Sequence, residues 1–99
     1  KNKQFLERVF SREEIMYCEK KKNKQEHYAA RFAAKESVWK ALSGKYKIAL
    51  KSIVVQNINN GKPVIIFKNI KDKELKNLNI EVSLSHTKNY AIAIAMVKK

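Results

Sequence analysis

The sequence predicts an α+β fold, with helices in its first half packed on a mostly antiparallel sheet built from its second half. Three observations carry that prediction. Residues 29–42 (AARFAAKESVWKAL) hold five alanines and neither glycine nor proline, the composition of a strong helix. From Ile53 onward the apolar period changes from helical to extended, beginning with Ile53-Val54-Val55. The segments Ile80 to Ser85 and Tyr90 to Val97 then alternate strictly, as half-buried strands do. Helices first and antiparallel strands afterwards is the α+β order.

Residues 1–10 read as the end of a helix with Phe5, Leu6 and Val9 inward. Ser11 and Glu14 stand three apart, the capping-box spacing, so a second helix starts at Ser11 and carries Ile15, Met16 and Cys18. The run Lys20-Lys21-Lys22-Asn23-Lys24 ends it, either as a solvated connection or as an anion-binding edge. Glu26 opens the central helix, which runs to about Leu42 and stops at Ser43-Gly44. At 100° per residue, Ala29, Phe32, Ala33 and Trp39 share an apolar arc, and Glu36 lies within it. Ile53–Ile58 and Val64–Phe67 read as strands joined by the turn residues Asn59-Asn60-Gly61-Lys62-Pro63, a hairpin. Residues 71–78 form a short polar helix or a loop. In the last strand Ala91, Ala93 and Ala95 make a small face suited to receiving the central helix, and Ile92, Ile94 and Met96 make a bulky one.

The 99 residues carry 22 Lys+Arg against 9 Asp+Glu, a net charge of +13. That balance points to an anionic partner, or to a solvated lysine-rich surface. The hydrophobic content of 44% excludes a disordered tail. The one cysteine, Cys18, excludes an internal disulfide and fits a reducing compartment, so a cytoplasmic location is expected. No apolar run approaches the length of a membrane span, so no membrane partner is expected.

A carboxylate on a core-facing helix side must be paired, protonated or bound to a cation. Lys40 follows Glu36 by four residues and lies on the same side of the helix. The residues alone leave two readings open: a structural Glu36–Lys40 ion pair, or Glu36 as one ligand of a hard cation with Lys40 offsetting phosphate charge. The tetrapeptide Ser85-His86-Thr87-Lys88 offers hydroxyls, an imidazole and an ammonium, an inventory that suits a phosphate and equally a polar turn. No CxxC, helical His pair or glycine-rich phosphate loop is present, and Phe67 and Tyr90 are too isolated to form a base-stacking surface. A basic nucleic-acid-binding module would explain the charge but not an inward Glu36, so no nucleic-acid partner is expected.

Three segments in this order resemble the holo-acyl-carrier-protein synthase family of 4′-phosphopantetheinyl transferases. They are Arg31-Phe32-Ala33-Ala34-Lys35-Glu36 with Lys40-Ala41-Leu42, then Asn60-Gly61-Lys62-Pro63, then Val82 to Ala91 with its Ser-His-Thr-Lys core. Phe5 to Phe10 followed by Ser11-Arg12-Glu13-Glu14-Ile15 is also similar. The resemblance implies a 4′-phosphopantetheinyl transferase-like fold over residues 1–99, one domain lacking the family's N-terminal strand. It implies transfer of 4′-phosphopantetheine from coenzyme A to a serine of an acidic apo acyl carrier protein, with Mg²⁺ as cofactor and adenosine 3′,5′-bisphosphate as the other product. It further implies a homotrimer with active sites between subunits. On the matching positions, Glu36 is the metal-binding glutamate and Lys40 the lysine beside the pyrophosphate. Arg31, Lys62, Pro63, His86 and Thr87 line the coenzyme site, partly from a neighbouring subunit. Lys1, Lys3 and Arg8 lie on the helix that receives the carrier. The family's second metal ligand, an aspartate, sits on the N-terminal strand that these 99 residues do not include. An inactive coenzyme A-binding fragment is therefore a further reading.

Overall fold

A computed structural model describes residues 3–57, 62–86 and 91–98, without the side chains of His86 and Lys98. The first half holds helices α1 (Lys3–Val9), α2 (Arg12–Glu19) and α3 (Lys24–Leu42). A 3-10 turn, Leu50–Ser52, leads into strands β1 (Ile53–Asn57) and β2 (Pro63–Phe67), then the one-turn helix α4 (Lys73–Lys76), and strands β3 (Asn79–His86) and β4 (Ala91–Lys98).

Local chemistry accounts for the helix boundaries. Ser11 caps α2: its Oγ accepts from the backbone N–H of Glu14, and the Glu14 carboxylate accepts from the backbone N–H of Ser11, the complete capping box. The central helix begins two residues earlier than expected, at Lys24 with Asn23 as its N-cap, and ends on Ser43. Residues 71–78 resolve as α4, whose Asp72 side chain accepts from the N–H groups of Glu74 and Leu75.

The strands form two antiparallel hairpins. In the first, Ile53 pairs with Phe67 and Asn57 with Pro63. Proline at the start of β2 loses no required donor. In the second, Asn79 pairs with Lys98 and His86 with Ala91. The alanine face of β4 turns inward, with Ala91, Ala93 and Ala95 half-buried and α3 packed along the strand. Ile92, Ile94 and Met96 point outward at 62%, 61% and 56% exposure. Val38, Leu42, Ile48, Ile53 and Leu75 form the core between α3 and the first hairpin, and Ile65, Phe67 and Ala95 pack against it.

The predicted inward arc of α3 is corrected. The buried line is Ala30, Ala34, Val38 and Leu42, flanked by Arg31 and Lys35; Ala29 is exposed, Trp39 largely so, and Phe32, Ala33 and Glu36 are half-buried. Two causes combine. The alanines let the sheet approach the helix closely, so the small side chains mark the contact. Arg31 and Lys35, which a periodicity argument assigns to solvent, are buried because each meets partners on other elements. Phe5 and Met16 are also exposed, so Val9, Phe10 and Cys18 supply the inward contacts of α1 and α2 and of the residue joining them.

Candidate active site

Helix α3 places Glu36 and Lys40 one turn apart on one side, Glu36 half-buried and Lys40 exposed. The ion pair that the spacing allowed does not form. Among the described residues four salt bridges occur, Lys24–Glu19, Lys35–Glu14, Lys45–Glu74 and Lys68–Glu13, and none involves Glu36 or Lys40. The Glu36 carboxylate makes no hydrogen bond with any described residue either, and it is partly withdrawn from water. That is an acceptor available to a cation, and Lys40 beside it is a cation available to an anion.

The same helix is anchored on its opposite flank. Lys35 Nζ donates to Glu14 Oε1 and to the carbonyl of Ile53, each at 2.6 Å. Glu14 Oε2 accepts from the backbone N–H of Val55 at 2.8 Å. Both charged side chains are fully buried. Burial pulls the Lys35 ammonium below the usual lysine range, and the Glu14 carboxylate opposes that shift. One turn earlier, the Arg31 guanidinium stacks 3.9 Å over the Tyr17 ring and donates to Asn57 Oδ1. Arg31 Nε is buried without a hydrogen-bond partner among the described residues. Lys35 therefore meets the start of β1 and Arg31 its end, so α3 and β1 run antiparallel. The N-terminal half of α3 lies beside the end of the first strand pair, where Asn57 pairs with Pro63.

Lys62 and Pro63 line a second feature, a surface cleft of about 530 Å³ where β2 meets the second hairpin. Glu81, Ser83, Ile94 and Met96 line it too. This volume falls within the range of small-molecule sites. Neither Glu36 nor Lys40 lines it, so within one chain the expected site residues fall into two groups. His86 ends β3, while Thr87 lies outside the described residues, as do Lys1, Asn60 and Gly61. Lys3 and Arg8 are exposed on α1. Between α1 and α3 runs a groove of about 490 Å³ floored by Phe5, Leu6, Phe10, Tyr28 and Phe32.

Residues 1–95 match the 4′-phosphopantetheinyl transferase superfamily. The chain belongs to this family. It is 42% identical to a holo-[acyl-carrier-protein] synthase of Cytophaga hutchinsonii, over 96% of this chain and 80% of the relative. Its fold is similar to that of a Bacillus anthracis holo-(acyl-carrier-protein) synthase solved in complex with CoA (3′,5′-ADP), at a TM-score of 0.78 and 28% identity, covering 95% of this chain and 79% of that one. The Helicobacter pylori holo-[acyl-carrier-protein] synthase, solved with coenzyme A, gives a TM-score of 0.79 at 28% identity, covering 96% and 82%. The α+β fold is thus that of the phosphopantetheinyl transferases.

Two features of this superfamily member escaped the sequence reading: the burial of the Lys35–Glu14 pair and the apolar groove beside α1. The capping-box spacing located Glu14 but showed only one of its bonds. The groove left a trace in the aromatic residues Phe5, Phe10, Tyr28 and Phe32, which periodicity could not distinguish from core. No helix among the described residues is long and apolar enough to cross a membrane.

Cys18 serves as packing. Burial pushes its thiol from an ordinary 9.0 up to about 11, against the opposing pull of the Arg31 guanidinium. The native protein is expected to resist iodoacetamide at pH 8 and to react once unfolded in guanidinium, as read by mass spectrometry. Equal labelling of both states would contradict this. Because the folded value lies above the unfolded one, the stabilisation Cys18 gives is full below pH 9 and is lost as pH rises through 9 to about 11.

Proposed function

We propose that the protein transfers the 4′-phosphopantetheine group of coenzyme A to a serine of an apo acyl carrier protein and releases adenosine 3′,5′-bisphosphate, in the cytoplasm. The observation that carries this reading is Glu36, a half-buried carboxylate without a partner among the described residues, one turn from the exposed Lys40. The family membership and the coenzyme A complexes of similar synthases supply the substrate.

Glu36 suits Mg²⁺. Among the described residues no group of three His, Cys, Asp or Glu forms a closed metal cage, and Mg²⁺ characteristically takes one or two carboxylates and completes its shell with waters and substrate phosphates. When bound, such an ion supplies charge neutralisation at the pyrophosphate. In the reaction the carrier serine oxygen bonds to the β-phosphorus, the bond from that phosphorus to the bridging oxygen breaks, and adenosine 3′,5′-bisphosphate leaves with the electron pair. The serine proton passes to a water or a nearby carboxylate. Lys40 offsets negative charge on the leaving phosphate, and Glu36 would hold the cation that neutralises the reacting end of the coenzyme. Positioning and electrostatics supply most of the catalysis.

Lys62, Pro63, His86, Thr87 and Arg31 are assigned to the coenzyme site, with Arg31 acting from α3 through Asn57 at the end of β1. The separation of the 530 Å³ cleft from Glu36 supports a site completed by a second copy of the chain. The outward row Ile92, Ile94 and Met96, which borders that cleft, is the apolar surface such a copy would cover, giving the homotrimer. Ile94→Lys is expected to yield monomers in analytical ultracentrifugation, with kcat/KM reduced about tenfold or more. An active, monomeric wild-type protein would remove the assembly from this account. Lys3 and Arg8, exposed on α1, with a net charge of +13 behind them, suit an acidic carrier; Lys1, assigned to the same role, lies outside the described residues.

The deciding experiment incubates the full-length protein with apo carrier protein, coenzyme A and Mg²⁺. The expected result is the phosphopantetheine mass on the carrier, lost when EDTA is added. An unmodified carrier, together with tight, salt-sensitive binding of the protein to DNA or RNA, would overturn the reading in favour of a nucleic-acid-binding module.

A further inference from the structure

Lys35 and Glu14 are an expensive way to fill a core. Removing both charges from water costs about as much as their attraction returns, and apolar replacements of similar volume are often neutral or stabilising. Stability alone therefore does not account for the pair. Its geometry suggests what does. The Glu14 carboxylate accepts three hydrogen bonds, from Lys35 Nζ on α3, from the backbone N–H of Ser11 at the α2 cap and from that of Val55 on β1. Lys35 Nζ makes a second bond, to the Ile53 carbonyl on β1, and lies 5.6 Å from the centre of the Phe10 ring. Together these bonds tie three backbone segments, the capped start of α2, α3 and β1, and each bond is directional. Apolar packing tolerates a helix that slides or rolls by a fraction of a turn, but this set of bonds does not.

The residue after Lys35 is Glu36, 100° further round the same helix, and Lys40 follows one turn on. We propose that Lys35 and Glu14 are positioning residues: they fix the roll and height of α3 against β1, and so hold Glu36 and Lys40 towards the coenzyme pyrophosphate. This inference rests on the transferase reading of Glu36 and Lys40.

The test compares the wild-type full-length protein with Glu14→Gln/Lys35→Met, which removes both charges at nearly constant volume. Glu13→Gln/Lys68→Met, which removes an exposed pair, serves as control. Three measurements are made: the unfolding midpoint by melting and, at 20 °C, the steady-state kinetics (kcat and KM for coenzyme A) and the Mn²⁺ affinity without substrates, read by electron paramagnetic resonance. The buried double variant is expected to melt within a few degrees of wild type, with kcat reduced about tenfold or more and Mn²⁺ affinity reduced by a similar factor. The control is expected to match wild type in all three. A purely structural pair would shift the midpoint and leave kcat and Mn²⁺ affinity of the folded protein unchanged, and that result overturns the proposal. If the double variant fails to fold, Glu14→Gln, which keeps the volume and removes one charge, is read by kcat and Mn²⁺ affinity of the folded protein, its midpoint being expected to fall because Lys35 loses its partner. Wild-type protein that leaves the carrier unmodified overturns the transferase reading itself. A wild type that modifies it, matched by the double variant in kcat and Mn²⁺ affinity, overturns the positioning role alone.

Discussion

Glu36→Gln leaves the fold intact and lowers phosphopantetheine transfer by about a hundredfold or more. The amide keeps the size of the side chain and removes the charge. Because the carboxylate makes no ion pair or hydrogen bond with any described residue, its loss breaks no such bond among them, and a thermal melt should coincide with that of wild type. The effect should fall on kcat and on the Mg²⁺ concentration needed for half-maximal rate, since a hard cation binds a neutral amide far less well than a carboxylate. Mass spectrometry of the carrier over time gives the rate. Turnover within a few-fold of wild type would remove Glu36 from the metal site.

The second large effect is on stability. Lys35→Met leaves the Glu14 carboxylate buried opposite a thioether, with its charge uncompensated. Removing one partner of a buried pair costs about 3–5 kcal/mol, a large part of the 5–15 kcal/mol that typically separates folded from unfolded states. Urea unfolding should show it as a lower midpoint with an unchanged slope. Lys68→Met, which breaks the exposed Lys68–Glu13 pair at 2.5 Å, should cost only about 0–1 kcal/mol. Adding Glu14→Gln to Lys35→Met should recover most of the lost stability. A loss from Lys35→Met alone as small as that from Lys68→Met would mean that the carboxylate escapes to water or takes up a proton at little cost.

What the sequence made legible was local. Ser11 and Glu14 specified a cap, the alternation of Ile80 to Ser85 and Tyr90 to Val97 specified strands, and the alanines of the last strand specified the face that meets the helix. The order of these elements was enough to give the α+β fold. The inward side of the central helix was not legible, because its burial pattern depends on distant partners. Lys35 is buried on account of Glu14, 21 positions before it, and Ile53, 18 positions after it. Arg31 is buried on account of Asn57, 26 positions later. Helical periodicity contains none of that information. At the candidate site, the sequence brought Glu36 and Lys40 to the same side of a helix and left two readings of them open. The absence of that ion pair among the described residues removes the structural reading and leaves the cation-binding one as the proposal made above, and it is a property of side-chain placement that spacing cannot supply.

The sequence divides visibly near residues 43–49, with helices before and strands after, and the two halves look separable. The bonds of Glu14 show that they are not. Its carboxylate spans 41 positions to the N–H of Val55, so the cap of α2, the docking of α3 and the seating of β1 must be completed together. Either half alone would hold a desolvated charge or an unmet backbone group. The connection is therefore a boundary of secondary-structure type and not of cooperativity. Hydrogen exchange at Glu14, Lys35 and Val55 should report one shared opening event, in which the helical half never loosens independently of the strands.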